Sequence, residues 1–186
     1  MDTLLLWDKE LFLWLNNLGS STFDTLWMTI TDKRYTIAFY VVLTAICSKW
    51  LGLKNTLWLL LTAGLLITFT DQITNAFKNG FMRLRPCHEP ELEGLMRRVK
   101  PSCGGRYSYF SGHASNSFAM ATIFITLFAK RFKSMYALFV VAALVAYSRI
   151  YIGVHYPLDV ISGALFGAFG GWLFAKIYLR FIPNPI

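Results

Sequence analysis

The chain has 186 residues, of which 55% are hydrophobic and only 15% are charged, whereas soluble domains carry about 25% charged residues. This composition argues against a soluble protein and indicates a membrane protein, with a length that suits a single domain over residues 1–186. The formal charge of +8 is distributed between long apolar runs, so no nucleic-acid-binding stripe is expected. Anionic lipids or a phosphorylated substrate are the more natural partners.

The N-terminal residues have the pattern of an amphipathic helix. Apolar side chains recur there at helical spacing, at Leu4, Trp7, Leu11, Trp14, Leu15 and Leu18. Charged and amide side chains fall off this stripe, at Asp8, Lys9, Glu10, Asn16 and Asn17. The pattern predicts a helix that lies in the membrane interface, and it also suits a helix packed on the rest of the bundle.

Five later segments are apolar and close to the length of about 20 residues that a helix needs to cross a bilayer. Because a backbone inside lipid must satisfy its own hydrogen bonds, all five are predicted to be helices. They cover residues 35–51, 56–77, 112–129, 134–150 and 158–179. The predicted fold is an all-α integral membrane bundle of about five transmembrane helices, with the N-terminal amphipathic helix added to it.

The charges of the connecting loops indicate the orientation of the bundle. If the five segments alternate across the bilayer, one side receives basic residues and no acidic ones: Lys49, Lys54, Lys130, Arg131, Lys133, Lys176 and Arg180. Short loops rich in Lys and Arg are typical of the cytoplasmic side. The long polar loop at residues 79–110 is therefore predicted to lie on the extracytoplasmic side.

Three clusters of polar residues fall on that same predicted face. One cluster ends the second segment, one opens the third, and one joins the fourth to the fifth. They comprise Lys78, Arg85 and Pro86; Ser111, Gly112 and His113; and Ser148, Arg149, His155 and Asp159. Ionisable residues at membrane depth are costly and usually functional, so the convergence of three clusters on one face predicts a functional site.

The cations and the start of the third segment have the chemistry of a phosphate site. Arg85 and Arg149 offer planar forks that match phosphate oxygens, and Lys78 adds a compact charge. Ser111 is a favourable N-cap for a helix that starts near Gly112. The free N–H groups of a first helical turn bind anions, so these five residues are predicted to bind phosphate.

The histidines supply a reaction for that site. His155 and Asp159 are one helical turn apart, which brings their side chains to one face. A carboxylate bonded to one imidazole nitrogen fixes the tautomer and leaves the other nitrogen free to attack phosphorus. His113, on a different helix, is placed to protonate the leaving oxygen. No metal or other cofactor is expected, since the carboxylate cluster of a magnesium or two-metal site is absent from the sequence.

These motifs resemble those of the type 2 phosphatidic acid phosphatase (PAP2) superfamily, which shares its site with vanadium haloperoxidases. The family pattern is KxxxxxxRP, PSGH and SRxxxxxHxxxD. Here it runs from Lys78 to Pro86, over residues 110–113 with Phe110 in place of proline, and from Ser148 to Asp159. The resemblance implies that His155 is the nucleophile, His113 the acid and Asp159 the carboxylate that orients His155. It further implies five phosphate ligands: Lys78, Arg85, Ser111, Gly112 and Arg149.

The resemblance implies metal-independent hydrolysis of a phosphomonoester or diphosphate on a membrane lipid through a phosphohistidine intermediate. The compact chain and the absence of eukaryotic-style sorting signals favour a bacterial inner-membrane enzyme, and the charges of the loops favour a site on its extracytoplasmic side. Undecaprenyl diphosphate is the first expectation for the substrate, because the chain is small and lacks a soluble domain to grip a bulky headgroup. Lipid A, phosphatidylglycerol phosphate and phosphatidic acid are the alternatives.

Two other classes of protein are less compatible with the sequence. A haloperoxidase or an acid phosphatase for soluble substrates would share the phosphate site, but five apolar segments argue against both. A protein that binds or transports a phosphorylated lipid without catalysis has no need of the complete set His113, His155 and Asp159. The sequence leaves the oligomeric state open.

Cysteines and three further polar residues complete the expectations. Cys87 and Cys103 lie in the same polar loop, and an extracytoplasmic position favours a disulfide between them. The sequence leaves open whether Asp71, Arg83 and Arg106 contribute to the site. Asp71 is expected to neutralise a neighbouring arginine, whereas Arg83 and Arg106 suit either a second phosphate group or solvent.

Overall fold

The computed structural model describes residues 2–183, and this part of the chain forms α-helices and no β-strand. The prediction of an all-α protein is therefore confirmed. The six helices are α1 (Asp2–Asn17), α2 (Ser21–Thr31), α3 (Lys33–Phe81), α4 (Gly112–Phe128), α5 (Ala137–Tyr151) and α6 (Pro157–Phe181). By length and composition, three stretches are able to cross a membrane: α3, α6, and α5 with the 3₁₀ turn Lys133–Tyr136 that precedes it.

The first two predicted segments are the two arms of α3, which is interrupted at Gly52. This residue has φ of 70° inside a helix of 49 residues, a conformation that glycine adopts at little cost. The ring of Trp50 lies 4.6 Å from that of Phe132, beyond the end of α4. The Thr70 hydroxyl donates to Asn116 in the first half of α4 at 2.7 Å. The arm before Gly52 thus follows the direction of α4, and the arm after it runs back.

Most predicted boundaries differ from the observed ones by a few residues, because the apolar windows stopped at charged side chains. The segment predicted to end at residue 77 continues to Phe81, where Met82 at φ 48° closes the helix. Similarly, α6 continues through Arg180 to Phe181. Tolerance of these charges near helix ends is expected where long side chains reach the membrane surface. The helix α2 was not anticipated.

Helix α4 lies at the centre and packs most closely on α6, along a stripe of glycines one turn apart. A Cβ atom at these positions would meet carbonyl oxygens of α4: Gly163 that of Ser111, Gly167 that of Ser115 and Gly171 that of Ala119. Small residues at this spacing allow helix backbones to approach closely in membranes. The two helices run parallel, so they begin side by side at the same end of the bundle.

Helix α1 buries two polar side chains on its inner face and exposes most of its apolar side chains on its outer face. Its inner face carries Asp8, Phe12 and Asn16, all buried. The Asn16 amide donates to the carbonyl oxygens of Ile150 and Tyr151 at 3.1 and 2.9 Å. The predicted apolar stripe remains exposed at Leu4, Trp7, Leu11, Trp14 and Leu18. An apolar outer face suits a lipid environment, and the position of α1 in the membrane interface stays a prediction.

Candidate active site

The predicted site residues meet at one end of the bundle, where α3 and α5 end and α4 and α6 begin. The polar loop between α3 and α4 covers this end. Its residues Arg85 and Arg106 form a backbone hydrogen bond of 3.1 Å, and Ser108 N donates to Arg83 O at 2.8 Å. The three sequence clusters lie together at this end of the bundle, as the alternation of the apolar segments across the bilayer predicted.

His155 and Asp159 are both buried, with exposed fractions of 2% and 0%. The Nδ1 atom of His155 lies 3.4 Å from Oδ2 of Asp159, which leaves Nε2 as the nitrogen free for chemistry. The same Oδ2 accepts the Tyr156 N–H at 3.0 Å, and this bond fixes the first turn of α6. The connection before α6 is held by Arg149, whose carbonyl oxygen accepts from His155 N at 3.3 Å.

The environment of His155 favours the neutral imidazole that a nucleophile requires. Burial lowers the pKa of His155 well below its ordinary value, and the positive charges of Arg149, Arg85 and Lys78 lower it further. A histidine with a depressed pKa keeps a free nitrogen lone pair at neutral pH. The carboxylate of Asp159 is the acidic group in contact with the ring.

The start of α4 is locked to α6 and points its first turn into the site. The Ser111 N–H donates to the carbonyl oxygen of Asp159 at 2.9 Å. The Ser111 hydroxyl accepts from Ala114 N at 3.4 Å, as expected of an N-cap. A Cβ atom at Gly112 would lie 4.0 Å from Lys78 Nζ. Lys78 and the first turn of α4, which includes His113, therefore flank the same space.

Arg149 and Arg85 are held by the protein but keep capacity for a ligand. Arg149 is 4% exposed, and its Nη1 donates to the Thr31 hydroxyl at the end of α2. Its Nε is buried without a hydrogen-bond partner among the described residues. Arg85 donates to the carbonyl oxygens of Tyr107 at 3.1 Å and Cys103 at 2.6 Å. Because buried donors are nearly always satisfied, the free Nε indicates a place for an anion.

The loop that holds Arg85 is closed on itself at Cys87 and Cys103. Their sulfur atoms meet, and their Cα atoms are 6.2 Å apart, within the range of disulfides. Cys47 is buried in α3 and unpaired. No group of three or more His, Cys, Asp or Glu side chains within residues 2–183 has the arrangement of a metal site.

Arg83, which the sequence left open, contacts the predicted site residue Asp159. Its Nη1 donates to Asp159 at 3.1 Å and its Nη2 to Asp8 at 2.7 Å. Its guanidinium carbon lies 3.9 Å from the ring centroid of Tyr156. Asp8 also accepts the Leu158 N–H at 2.8 Å. Burial raises the pKa of Asp8, while the hydrogen bonds from Leu158 and Arg83 act to lower it.

Asp71 lies beside the start of α4, where its Oδ1 would be 4.0 Å from a Cβ atom at Gly112, the same distance as Lys78 Nζ. The expectation that Asp71 neutralises an arginine is wrong, because its carboxylate accepts from the Asn116 amide at 2.9 Å. That amide group in turn accepts from Thr70, which gives a polar strip between α3 and α4. Arg106 is exposed.

The sequence of the larger part of the chain decides its family. Residues 55–183 match the family model described as PAP2 superfamily. The chain belongs to the PAP2 superfamily. This membership confirms the family predicted from the three motifs, and together with the lipid A phosphatases among the relatives it confirms that the protein is a lipid phosphatase enzyme.

Two of the relatives match nearly the full chain, and a third matches a shorter part of it. The lipid A 4'-phosphatase of Bacteroides thetaiotaomicron is 36% identical over 169 residues, which cover 90% of this chain and 75% of the relative. The lipid A 4'-phosphatase of Porphyromonas gingivalis is 31% identical over 180 residues, covering 96% and 76%. An undecaprenyl-diphosphatase of Sulfolobus acidocaldarius is 46% identical, but over 72 residues that cover 38% of this chain and 34% of that protein.

Two crystal structures of bacterial proteins resemble the fold. Aquifex aeolicus LpxE superimposes with a TM-score of 0.69 and 27% identity, over 90% of this chain and 93% of that one. A PAP2-type phosphatidylglycerolphosphate phosphatase from Bacillus subtilis gives a TM-score of 0.74 at 20% identity, over 98% and 89%. The second similarity supports the transmembrane phosphatase fold, and this fold together with the three apolar helices of membrane-spanning length supports an integral membrane protein.

Proposed function

We propose that this protein removes a phosphate group from lipid A or a closely similar phosphorylated glycolipid. The observation that carries the proposal is the 36% identity to a lipid A 4'-phosphatase along 90% of the chain. Undecaprenyl diphosphate, the first expectation from the sequence, becomes the second candidate, because its named relative matches only 38% of the chain. The size of the chain is a weak argument against a bulky headgroup, since such a headgroup can remain outside the protein.

In the proposed reaction, the phosphate group binds at the start of α4 between the side chains of Lys78, Arg85 and Arg149. The buried, unpartnered Nε of Arg149 supports this position. The Nε2 atom of His155 attacks phosphorus while Asp159 holds the proton on Nδ1, and the lipid oxygen leaves as the P–O bond breaks. His113 donates the proton that this oxygen needs, a contribution of about 10²–10⁴-fold in similar reactions.

The second half of the proposed reaction regenerates the enzyme. Water attacks the phosphorus atom of the phosphohistidine, and His113, now neutral, accepts a proton from it. The N–P bond breaks, inorganic phosphate leaves, and His155 returns to its neutral starting state. The cations stabilise charge on the transferring group in both steps, as preorganised donors do in phosphoryl transfer generally.

The proposal includes the arrangement in the membrane. The two arms of α3 together with α4, α5 and α6 cross the bilayer as one domain, and α1 lies in the interface with its exposed apolar stripe toward lipid. The active end faces the extracytoplasmic side of the inner membrane. The distribution of basic residues in the opposite loops supports this orientation, and the pairing of Cys87 with Cys103 is consistent with it.

The proposal is tested by phosphate release from purified protein in detergent that contains EDTA. The substrates are lipid A with both phosphates, lipid A with only the 4'-phosphate or only the 1-phosphate, undecaprenyl diphosphate, phosphatidylglycerol phosphate and phosphatidic acid. His155→Ala should abolish release, and His88→Ala, which changes an exposed histidine of the polar loop, should not. Faster turnover of undecaprenyl diphosphate than of any lipid A would transfer the proposal to the second candidate.

A further inference from the structure

We infer that Asp8 of α1 is a positioning residue for catalysis, which acts through Arg83 on Asp159 and thereby on His155. This inference rests on the proposed function, because it assigns a role in the same reaction. None of the three sequence motifs contains Asp8 or assigns a function to Arg83. The inference makes α1 part of the active site rather than only a helix at the membrane surface.

The contacts form a continuous chain of charges, which we call the Asp8 chain: Asp8, Arg83 and Asp159. Arg83 bridges the two carboxylates with separate nitrogens, at 2.7 Å to Asp8 and 3.1 Å to Asp159. Asp159 then contacts His155 Nδ1 at 3.4 Å. The side chains of Asp8 and Asp159 are 5% and 0% exposed, and that of Arg83 is 16% exposed. Solvent therefore does little to screen these interactions.

Arg83 is fixed from three sides, and Asp8 provides one of them. The planar guanidinium lies over the ring of Tyr156 with its edge between the two carboxylates. A guanidinium carries donors in a rigid plane, so a bond at one edge orients the other. Without Asp8, Arg83 is free to turn away from Asp159. A fully buried carboxylate would then lose its compensating charge, which is strongly unfavourable.

Asp8 also acts on the helix that carries the catalytic pair. Its second oxygen accepts the N–H of Leu158 in the first turn of α6, where N–H groups have no partner within the helix. Tyr156 and Asp159 flank this residue, and both contact Arg83. One carboxylate therefore fixes the guanidinium and the backbone of the turn that aims Asp159 at His155.

A second ion pair of α1 provides a contrast in the same helix. Lys9 pairs with Glu91 at 2.7 Å and with Glu89 at 4.0 Å, and the Glu91 side chain is 73% exposed. Exposed pairs of this kind contribute little. Lys9 joins α1 to the polar loop and does not contact His155 or Asp159. A change at Lys9 therefore weakens the attachment of α1 while leaving the Asp8 chain in place.

The experiment compares Asp8→Asn, Arg83→Lys and Lys9→Gln with the wild-type protein in the phosphate-release assay. Asp8→Asn should lower kcat about 10–100-fold, by analogy with the loss when the outer partner of a metal-ligating histidine is removed, with KM changed less than about threefold. Arg83→Lys should give a similar loss, because lysine keeps the charge but cannot bridge two carboxylates in a plane. Lys9→Gln should retain wild-type kcat.

Combined variants distinguish a positioning role of Asp8 in catalysis from a merely structural role. In an Asp159→Asn background, Asp8→Asn should cause no further loss of kcat, because residues that act as a unit are not additive. Equal fold losses in both backgrounds would overturn the inference, as would wild-type kcat in Asp8→Asn. Thermal unfolding of each variant in detergent identifies any loss that comes from misfolding.

Failure of the proposed function is distinguishable from failure of this inference. If the wild-type protein releases no phosphate from any lipid, the proposed function fails, and the state of His155 is then read by nitrogen NMR of histidine-labelled protein. The Asp8 chain predicts a single tautomer with the proton on Nδ1 in the wild type and in Lys9→Gln, and a mixture in Asp8→Asn. An unchanged tautomer in Asp8→Asn would overturn the inference.

Discussion

Replacing Gly167 by alanine should separate α6 from α4 and disturb the active site from a distance. The added Cβ atom would fall on the Ser115 carbonyl oxygen, well inside van der Waals contact. Gly170→Ala is the matched control on the same helix, since its Cβ would find Leu66 and Thr70 side-chain carbons at 3.4 and 3.7 Å, an ordinary packing distance. Both variants gain the same helix propensity, so this gain cancels in the comparison.

The expected difference follows from the cost of overpacking. Forcing extra atoms into a packed interface costs about 1–3 kcal/mol, and the backbone oxygen of Ser115 cannot rotate away as a side chain does. The two helices must therefore move apart. Ser111 and His113 lie one turn toward the site on α4, and a shift of about 1 Å in reacting groups costs about 100-fold in rate. Gly167→Ala should thus lose stability and most of kcat.

The measurement is unfolding in mixed micelles with increasing SDS, followed by phosphate release from the folded fraction. Gly167→Ala should unfold at lower SDS than Gly170→Ala and turn over more slowly at equal folded concentration. If the two variants are equally stable and active, the close packing of α4 on α6 does not position the site, and this reasoning is refuted.

Three further predictions test individual groups. Arg149→Lys should lower kcat/KM about 10–100-fold, because the charge remains but the free Nε donor is lost; an unchanged value would place the phosphate elsewhere. Cys87→Ser with Cys103→Ser should destabilise the protein by about 3 kcal/mol, and mass spectrometry of alkylated native protein should find neither cysteine modified. Since the pKa of His155 is lowered, nitrogen NMR should find that its ring is still neutral when the pH falls below about 6.5, where an ordinary histidine is half protonated. Protonation of His155 at that ordinary pH would contradict the proposed environment.

The clusters of the site could be predicted from sequence because each depends on local geometry. His155 and Asp159 meet through one turn of helix, and Ser111 caps the helix that it precedes. The apolar segments then required that the three clusters lie at one end of the bundle. The lipid tail and headgroup have no such local signal, and the argument from chain size favoured a different lipid than the relatives do.

The contacts that sequence reasoning missed join residues far apart in the chain. Asp8 and Arg83 are separated by 75 positions, so no periodicity or spacing connects them. A pairing of this kind becomes visible only when α1 is docked on α6. By contrast, the stripe of Gly163, Gly167 and Gly171 has a regular spacing in the sequence, and the small-residue pattern of membrane helix contacts could have identified it.

The parallel start of α4 and α6 brings two helix macrodipoles to the same place with their positive ends together. Two such ends side by side repel each other, and a negative charge stabilises each. At the start of α6, the backbone N–H groups of Leu158 and Tyr156 donate to Asp8 and Asp159, whereas the first turn of α4 contains no acidic residue. Asp71 of α3, whose Oδ1 would lie 4.0 Å from a Cβ atom at Gly112, offsets part of the positive field at the start of α4, and the phosphate dianion proposed to bind there would offset more of it.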